Sequence, residues 1–317
     1  MIRFENVSKI FDDGTKAVNT LDLEIQKGEF FVLIGPSGCG KTTTMKMINR
    51  LIETTEGSIF IDNQNIKDYN IHELRWNIGY VLQQIALFPH MTIAENIAVV
   101  PEMRKWKKDD IRRRVDDLLH MVGLDPDVYR DRMPDELSGG QKQRVGVIRA
   151  LAANPKIVLM DEPFSALDPL SREQLQRDLV NLQKKIQKTI VFVTHDMQEA
   201  LSLGDRICVM RKGEIVQLDT PEGILQNPAN SFVEEFIGSP GLSWYDGRKV
   251  EELVTLLQQD ADYDMSRSLS LQSPLQEALL RLHDEEMVSI EDDGVYVGTL
   301  TSRHIVQYMT EKMQERG

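Results

Sequence analysis

The chain has 317 residues, 41% of them hydrophobic and 27% charged, with a formal net charge of −13. That length and balance fit a soluble globular protein with one large domain and a smaller one. No apolar run approaches the ~18 residues that a bilayer crossing needs, and the acidic surplus argues against nucleic acid as the main partner.

Met1-Ile2-Arg3-Phe4 shows no basic-then-apolar export signal, so the expected location is the cytoplasm. Residues 1 to 27 alternate apolar and polar through Ile2, Phe4, Val7, Val18, Leu21, Leu23 and Ile25, around the turn Asp12-Asp13-Gly14. This predicts an antiparallel hairpin. Phe11 stands just before the turn, either as a core residue or as a face on which a purine could stack.

Phe30 to Ile34 is an unbroken apolar run, followed by Gly35-Pro36-Ser37-Gly38-Cys39-Gly40-Lys41-Thr42 and a helical pattern from Thr42 to Leu51. The stretch fits G-x-x-x-x-G-K-[ST] in the strand, loop, helix context of a phosphate-binding loop. Its glycines let successive N–H groups converge on a polyanion, with the positive end of a helix behind them. Lys41 is expected on the β- and γ-phosphates and Thr42 on Mg²⁺. Cys39 and Cys208 have no paired spacing, which argues against a disulfide or metal framework, and a thiol at Cys39 beside phosphate invites redox sensitivity.

Gly57 to Asp62 and Ile78 to Leu82 read as strands, the second ending at Gln83. A glutamine at a strand end is either a plain surface residue or a sensor reaching both a metal-bound water and the loop beyond. Residues 92 to 152 form a helical insert, with segments Ile93 to Val100, Asp109 to Met121 and Gln141 to Ala153. The basic residues between Arg104 and Arg114 are interleaved with acids and read as a solvated face.

Ile157 to Glu162 is a continuous apolar strand ending in two acids, as expected of a strand buried on both faces of a parallel sheet. Asp161 can hold a metal through its water shell, and Glu162 can polarise an attacking water. Thr189 to Thr194 is the next buried strand, with His195 at its tip, either a structural residue or, in a protein with a phosphate loop, a γ-phosphate contact. Arg206 to Met210 and Glu214 to Gln217 flank Lys212-Gly213 as a closing hairpin, and Ser239-Pro240-Gly241 marks a linker. Beyond it Arg248 to Asp260 reads as helical, and then Ser268 to Met309 reads as β, α, β, β, α. From Pro240 onward 7 Lys and Arg face 15 Asp and Glu.

Leu137-Ser138-Gly139-Gly140-Gln141-Lys142-Gln143-Arg144 resembles the signature of the ATP-binding-cassette (ABC) ATPases. With the loop Gly35 to Thr42, Gln83, Asp161-Glu162, Ser165-Ala166-Leu167-Asp168 and His195 in order, the resemblance covers residues 1 to about 236. It implies an α/β P-loop NTPase fold with a mixed sheet, an antiparallel β subdomain and a helical insert at about 92–152. It implies an ATPase domain over 1–237, a linker and helix over 238–266, and a small α+β module over 267–317. Val295 to Thr301 in that module resembles a single cystathionine-β-synthase-type (CBS) unit, with His304 where an acidic ribose contact is usual.

The resemblance also implies roles. ATP would contact Phe11, the loop residues Gly35, Pro36, Ser37, Gly38, Cys39, Gly40, Lys41, Thr42 and Thr43, and Gln83 and Asp168. It would be closed over by Ser138, Gly139, Gly140 and Gln141 of a second copy in a head-to-tail dimer. Mg²⁺ would be held by Thr42, Gln83 and, through water, Asp161. Glu162 would be the general base, and His195 would steady the γ-phosphate. Ala86 to Thr92, Lys46 to Glu53 and Asn96 to Pro101 are similar to ATPases of osmoprotectant importers for glycine betaine, carnitine, choline or proline. The implied partners are membrane permease subunits docking near Gln83 to Phe88 and, indirectly, a solute-binding protein. The implied place is the cytoplasmic face of the membrane. A soluble ABC protein acting on nucleic acid or ribosomes is the alternative, set against the lack of a heptad insert or a second cassette.

Overall fold

The computed structural model describes residues 1–317 except 85, 166, 168, 187, 239–248, 258–267, 286, 302–303, 306–307 and 309–317. The chain divides into two compact units, Met1–Pro240 and Gly241–Gly317.

In the first unit, β1 (Ile2–Ile10) and β2 (Lys16–Ile25) form the expected hairpin, joined by β4 (Glu56–Ile61) and β5 (Gln64–Asn65) in an antiparallel sheet of order β2-β1-β4-β5. The second sheet contains β3 (Phe30–Ile34), β6 (Ile78–Val81), β7 (Ile157–Asp161), β8 (Thr189–Thr194), β9 (Arg206–Arg211) and β10 (Glu214–Asp219). Its order is β10-β9-β3-β8-β7-β6, parallel throughout except for β10 at the edge. Two strands adjacent in space but distant in sequence, β3 and β8, flank the point where the connections diverge, which is where open α/β sheets bind ligands.

The side-chain period of two splits the central strands between two cores. Phe30, Val32, Ile34, Val158, Met160, Ile190 and Phe192 face a helical side, while Phe31, Leu33, Ile157, Leu159, Val191 and Val193 face β1, β2, β4 and α1 (Lys41–Ile48). Every residue of β3, β7 and β8 is buried, which is why these segments read as unbroken apolar runs.

Helix α2 (Ile71–Trp76) precedes β6, and α3 (Ile93–Met103), α4 (Lys108–Met121), α5 (Pro126–Tyr129) and α6 (Gly139–Leu151) follow it in the chain before β7. A Thr92/Glu95 capping box starts α3, which satisfies two end groups reciprocally. The basic stretch is not wholly a solvated face. Arg114 donates to Leu151 O and Ala152 O, the last carbonyls at the end of α6, and Arg104 donates to Ala153 O just beyond it at 2.8 Å. The unit continues through α7 (Pro169–Ile186) and α8 (Met197–Leu203) to α9 (Pro221–Gln226) and α10 (Ser231–Gly238).

The second unit holds β11 (Leu269–Ser270), α11 (Leu275–Asp284), β12 (Met287–Asp292) and β13 (Val295–Thr301). β12 pairs parallel with β11 and antiparallel with β13 around a core that includes Leu275, Val288, Ile290 and Leu300. The helix expected over Arg248 to Asp260 is replaced, where described, by a 3₁₀ segment at Val250–Leu256. Its apolar residues Val250 and Leu253, three apart, are fully buried. Three-residue spacing suits the 3₁₀ period as well as the α period. The final expected helix, Ile305 to Met309, falls largely outside the described residues.

Candidate functional site

Register brings the site together. Ile34 pairs with Thr194, Leu33 with Val193, and Val193 with Asp161, so the ends of β3, β8 and β7 lie level at one edge of the sheet. From those ends emerge the glycine loop, His195 and Glu162. Backbone pairing continues one residue further, with Glu162 N donating to Val193 O at 3.0 Å.

The loop from Gly35 to Gly40 is shaped by glycine. Gly40 has φ +105°, and a Cβ there would run into Ala17 O; a Cβ at Gly35 would run into Met210 O. Both positions therefore demand close backbone approach that other residues cannot make. Pro36, Ser37 and Gly38 are exposed at the loop crest. Helix α1 opens behind them with no side-chain cap and no acid in its first turn, leaving its positive end free for an anion.

Lys41 is 5% exposed, and its Nζ donates to Gly35 O at 2.7 Å and Pro36 O at 3.1 Å. Among the described residues no carboxylate pairs with it. Its remaining partner is Cys39 Sγ at 3.9 Å; a buried ammonium held by neutral groups is costly, and a polyanion in the loop removes that cost.

Thr42 Oγ1 donates to Asp161 Oδ1 at 2.8 Å, and Tyr80 OH donates to Asp161 Oδ2 at 3.3 Å. Burial first, and then the Asp161 charge and hydrogen bond, push the Tyr80 hydroxyl far above the usual phenol range, so it remains a donor. Hydroxyl and carboxylate oxygens side by side are hard donors suited to Mg²⁺, which takes one or two protein ligands and completes its shell with water and phosphate. The residues present therefore fit this ion.

Glu162 lies next to Asp161 with φ +44°, a left-handed conformation uncommon for a side chain of this kind. Its Oε2 is 3.1 Å from His195 Nδ1 and 3.4 Å from Gln83 Nε2. His195 and Gln83 are exposed. One carboxylate is thus flanked by an imidazole and an amide at the open end of the sheet.

Ser138 and Gln141 stand apart from this cluster. Ser138 caps α6, with its Oγ accepting from Gln141 N at 3.3 Å and its N–H donating to Gln141 Oε1 at 2.9 Å. Gln141 Nε2 reaches Tyr129 OH at 3.1 Å. Ser138 and Gly139 are exposed at the helix start. Phe11 is 39% exposed at the end of β1, with Lys9 Nζ 5.1 Å above its ring. Asp168 lies outside the described residues.

The Cys39 side chain is buried, and burial, only partly offset by Lys41, raises the thiol above its ordinary value. The thiolate is the reactive form, so the raised thiol disfavours reaction at neutral pH.

Beyond Gln83, a cleft of about 460 Å³ opens between the sheet and α3, lined by Leu51, Leu82, Ala86, Phe88, Val100 and Arg149 among others. Asn96, fully buried, accepts from Phe88 N at 2.8 Å and donates to the carbonyls of Phe88, Met91 and Thr92, fixing the turn that carries Phe88. Arg149 donates to Ala86 O at 2.6 Å.

Comparison with known proteins bears on this geometry. A glycine betaine/carnitine/choline transport ATP-binding protein, OpuCA of Bacillus subtilis, is 56% identical over 275 residues, covering 86% of this chain and 72% of that protein. The chain belongs to the ABC transporter family. The ABC transporter family profile matches residues 18–165. The choline transport ATP-binding protein OpuBA of Bacillus subtilis is 53% identical, covering 91% of this chain and 77% of that protein. A dimeric ATP-binding cassette in a post-hydrolysis state with ADP and Pi superposes with TM-score 0.61 at 36% identity, covering 70% of this chain and 99% of that one.

This ABC ATPase uses residues that sequence reasoning did not single out. Tyr80 holds Asp161, and Gln143, 2% exposed, donates to Pro163 O at 2.5 Å, tying α6 to the turn after Glu162. Thr194 and Glu199 anchor the backbone around His195. A glutamine two residues after Gln141 was visible as part of the motif, but its burial arises only when α6 meets β7.

Proposed function

We propose that this chain is the ATP-hydrolysing subunit of an importer for a quaternary-ammonium or related osmoprotectant such as glycine betaine, carnitine, choline or proline. The observation that carries the ATPase site is the buried Lys41 ammonium, which has only uncharged partners among the described residues at the mouth of an uncapped helix. The names of the two relatives carry the substrate class.

ATP would lie along the loop Gly35 to Thr43, its phosphates on Lys41 and the α1 amides and its base on Phe11. Thr42, Gln83 and Asp161 would hold Mg²⁺, which when bound neutralises developing charge on the phosphates. Glu162 takes the proton of the attacking water, and His195 orients that water and the γ-phosphate. Catalysis of this kind rests on positioning and electrostatic stabilisation. Ser138, Gly139, Gly140 and Gln141 lie outside this cluster, which supports their use by the nucleotide of a second copy. Two sites would then be completed in a head-to-tail dimer.

The cleft beside Gln83 to Phe88 supports docking of a permease segment with an apolar face. Exposed Leu82 and Phe88 line the cleft, with Asn96 holding the Phe88 backbone and Arg149 holding Ala86 O. No helix among the described residues is long and apolar enough to cross a membrane, so attachment would run through that permease at the cytoplasmic face. Residues 267–317, after a linker over 238–266 that carries the 3₁₀ segment Val250–Leu256, would form a single CBS-like module; the β11-α11-β12-β13 order supports it. A function on nucleic acid finds no support in the relatives or in the net charge.

Co-purification from membranes followed by uptake assays with betaine, carnitine and choline tests the reading. Uptake of one of them that stops in Glu162→Gln supports it. ATP-independent uptake, or no transport partner, refutes it.

A further inference from the structure

His195 is exposed, yet its backbone is fixed from both sides. Thr194 Oγ1 donates to Glu199 Oε2 at 2.5 Å, and the same oxygen accepts from Asp196 N at 3.0 Å. Asp196 Oδ1 in turn accepts from Glu199 N at 3.3 Å and Gln198 N at 2.8 Å as the cap of α8. These bonds close a ring through Thr194, Asp196 and Glu199, and the residue enclosed is His195. Glu199 and Thr194 are 6% and 2% exposed.

A cavity of about 50 Å³ has Glu162, His195, Thr194, Arg172 and Glu199 on its wall, so the ring and the Glu162–His195 pair share one space. We propose that Glu199 is the positioning residue of the site: its carboxylate holds the Thr194 hydroxyl, which holds the Asp196 amide, and the two together aim His195 at Glu162. The inference rests on the ATPase reading above.

A carboxylate suits this role because it accepts without donating. With Glu199 ionised, the Thr194 proton has one destination, and the hydroxyl oxygen is left free for the Asp196 amide. Protonated, Glu199 gains a donor and keeps one acceptor oxygen, so the Thr194 bond persists without its charge assistance. Burial raises the Glu199 carboxyl to about 6; Asp196 adds to the rise, and the Thr194 bond, Arg172 and His195 oppose it. The groups facing it are therefore Asp196 and His195 on its own turn and Arg172 from α7, with Glu162 across the cavity.

The test compares Glu199→Ala, Glu199→Gln, Thr194→Val and the Glu199→Ala/Thr194→Val pair in the full chain with Mg²⁺ and ATP. Glu199→Ala and Thr194→Val are each expected to lower kcat by about tenfold to a hundredfold, the cost of misplacing a group at the reacting centre. KM for ATP should stay within about twofold. The double variant should lose no more than either single one, because both break the same ring. Glu199→Gln retains an acceptor for Thr194 and should keep most of the turnover. Unchanged kcat in Thr194→Val, or losses that multiply in the pair, would overturn the proposal. A second readout does not depend on turnover. The NMR resonance of the His195 ring should move in Thr194→Val in the direction that Glu162→Gln moves it, and a ring signal indifferent to Thr194 refutes the positioning role. Wild-type chain that hydrolyses no ATP would instead count against the functional reading itself.

Discussion

Thr42 and Asp161, 119 positions apart in sequence, meet hydroxyl to carboxylate at 2.8 Å. They meet because β3 and β7 both pair with β8 in a register that ends all three strands at one level. The phosphate loop and the acidic strand end are thereby delivered to one edge without either contacting the other along its length. If this pair holds Mg²⁺, Asp161→Asn should raise the Mg²⁺ concentration for half-maximal ATPase activity by about tenfold to a hundredfold, the usual cost of losing a ligand that acts through the metal's water shell. Titration of activity with Mg²⁺ measures this, and an unchanged midpoint argues against the assignment.

Lys41 is a buried ammonium with no carboxylate partner among the described residues. Lys41→Ala should weaken ATP binding by about tenfold to a hundredfold, as expected for charge-assisted hydrogen bonds of roughly 1.5–3 kcal/mol. The nucleotide-free protein should lose little stability, since the substitution removes a buried ammonium without a counter-charge. Fluorescent-nucleotide titration and thermal melting separate the two effects. Normal affinity would show that the ammonium does not reach the nucleotide.

Glu199 makes a stability cost visible. Its carboxyl is raised from 4.5 to about 6, chiefly by burial. The folded state therefore binds the proton more tightly than the unfolded one, and stability falls as pH rises through the window between those two values. At neutral pH the cost is at most about 2 kcal/mol. Glu199→Gln should melt higher than the parent at pH 7.5, and the gap should close near pH 4.5. A gap that widens on acidification would reverse the sign of this argument.

The thiol of Cys39 is buried and raised above its ordinary value. Iodoacetamide should therefore alkylate it slowly at pH 7.5 in the folded protein, with the rate climbing only toward alkaline pH. Mass spectrometry of timed samples resolves it from Cys208, which is fully buried and pushed up to about 12. Rapid labelling of Cys39 at neutral pH would restore the redox expectation.

Much of the site was legible in the sequence because its parts are local. The glycine loop, the acidic strand end and the histidine at a strand tip each follow an apolar run whose burial on both faces leaves no periodicity to misread. Strand order and register were not legible, because pairings such as Leu33 with Val193 join segments far apart in the chain. Tyr80, Gln143 and Glu199 were passed over for the same reason: each acts on the site through another residue that only folding brings near. The helix α7 had a usable local signal in Leu175 and Leu179, four apart and both buried. The α-helical reading of Arg248 to Asp260 failed because a three-residue apolar spacing is shared by two helix types.

The central claim is that each nucleotide is enclosed by Lys41 of one copy and Ser138 of another. Lys41→Ala and Ser138→Arg should each abolish turnover alone. Mixed together, they allow a hybrid pair in which one site keeps an intact lysine and an intact serine. The decisive measurement is the ATPase rate of that mixture. Recovery of turnover on mixing is the expected result; two inert proteins that stay inert together, or a Ser138→Arg chain fully active by itself, would contradict the claim.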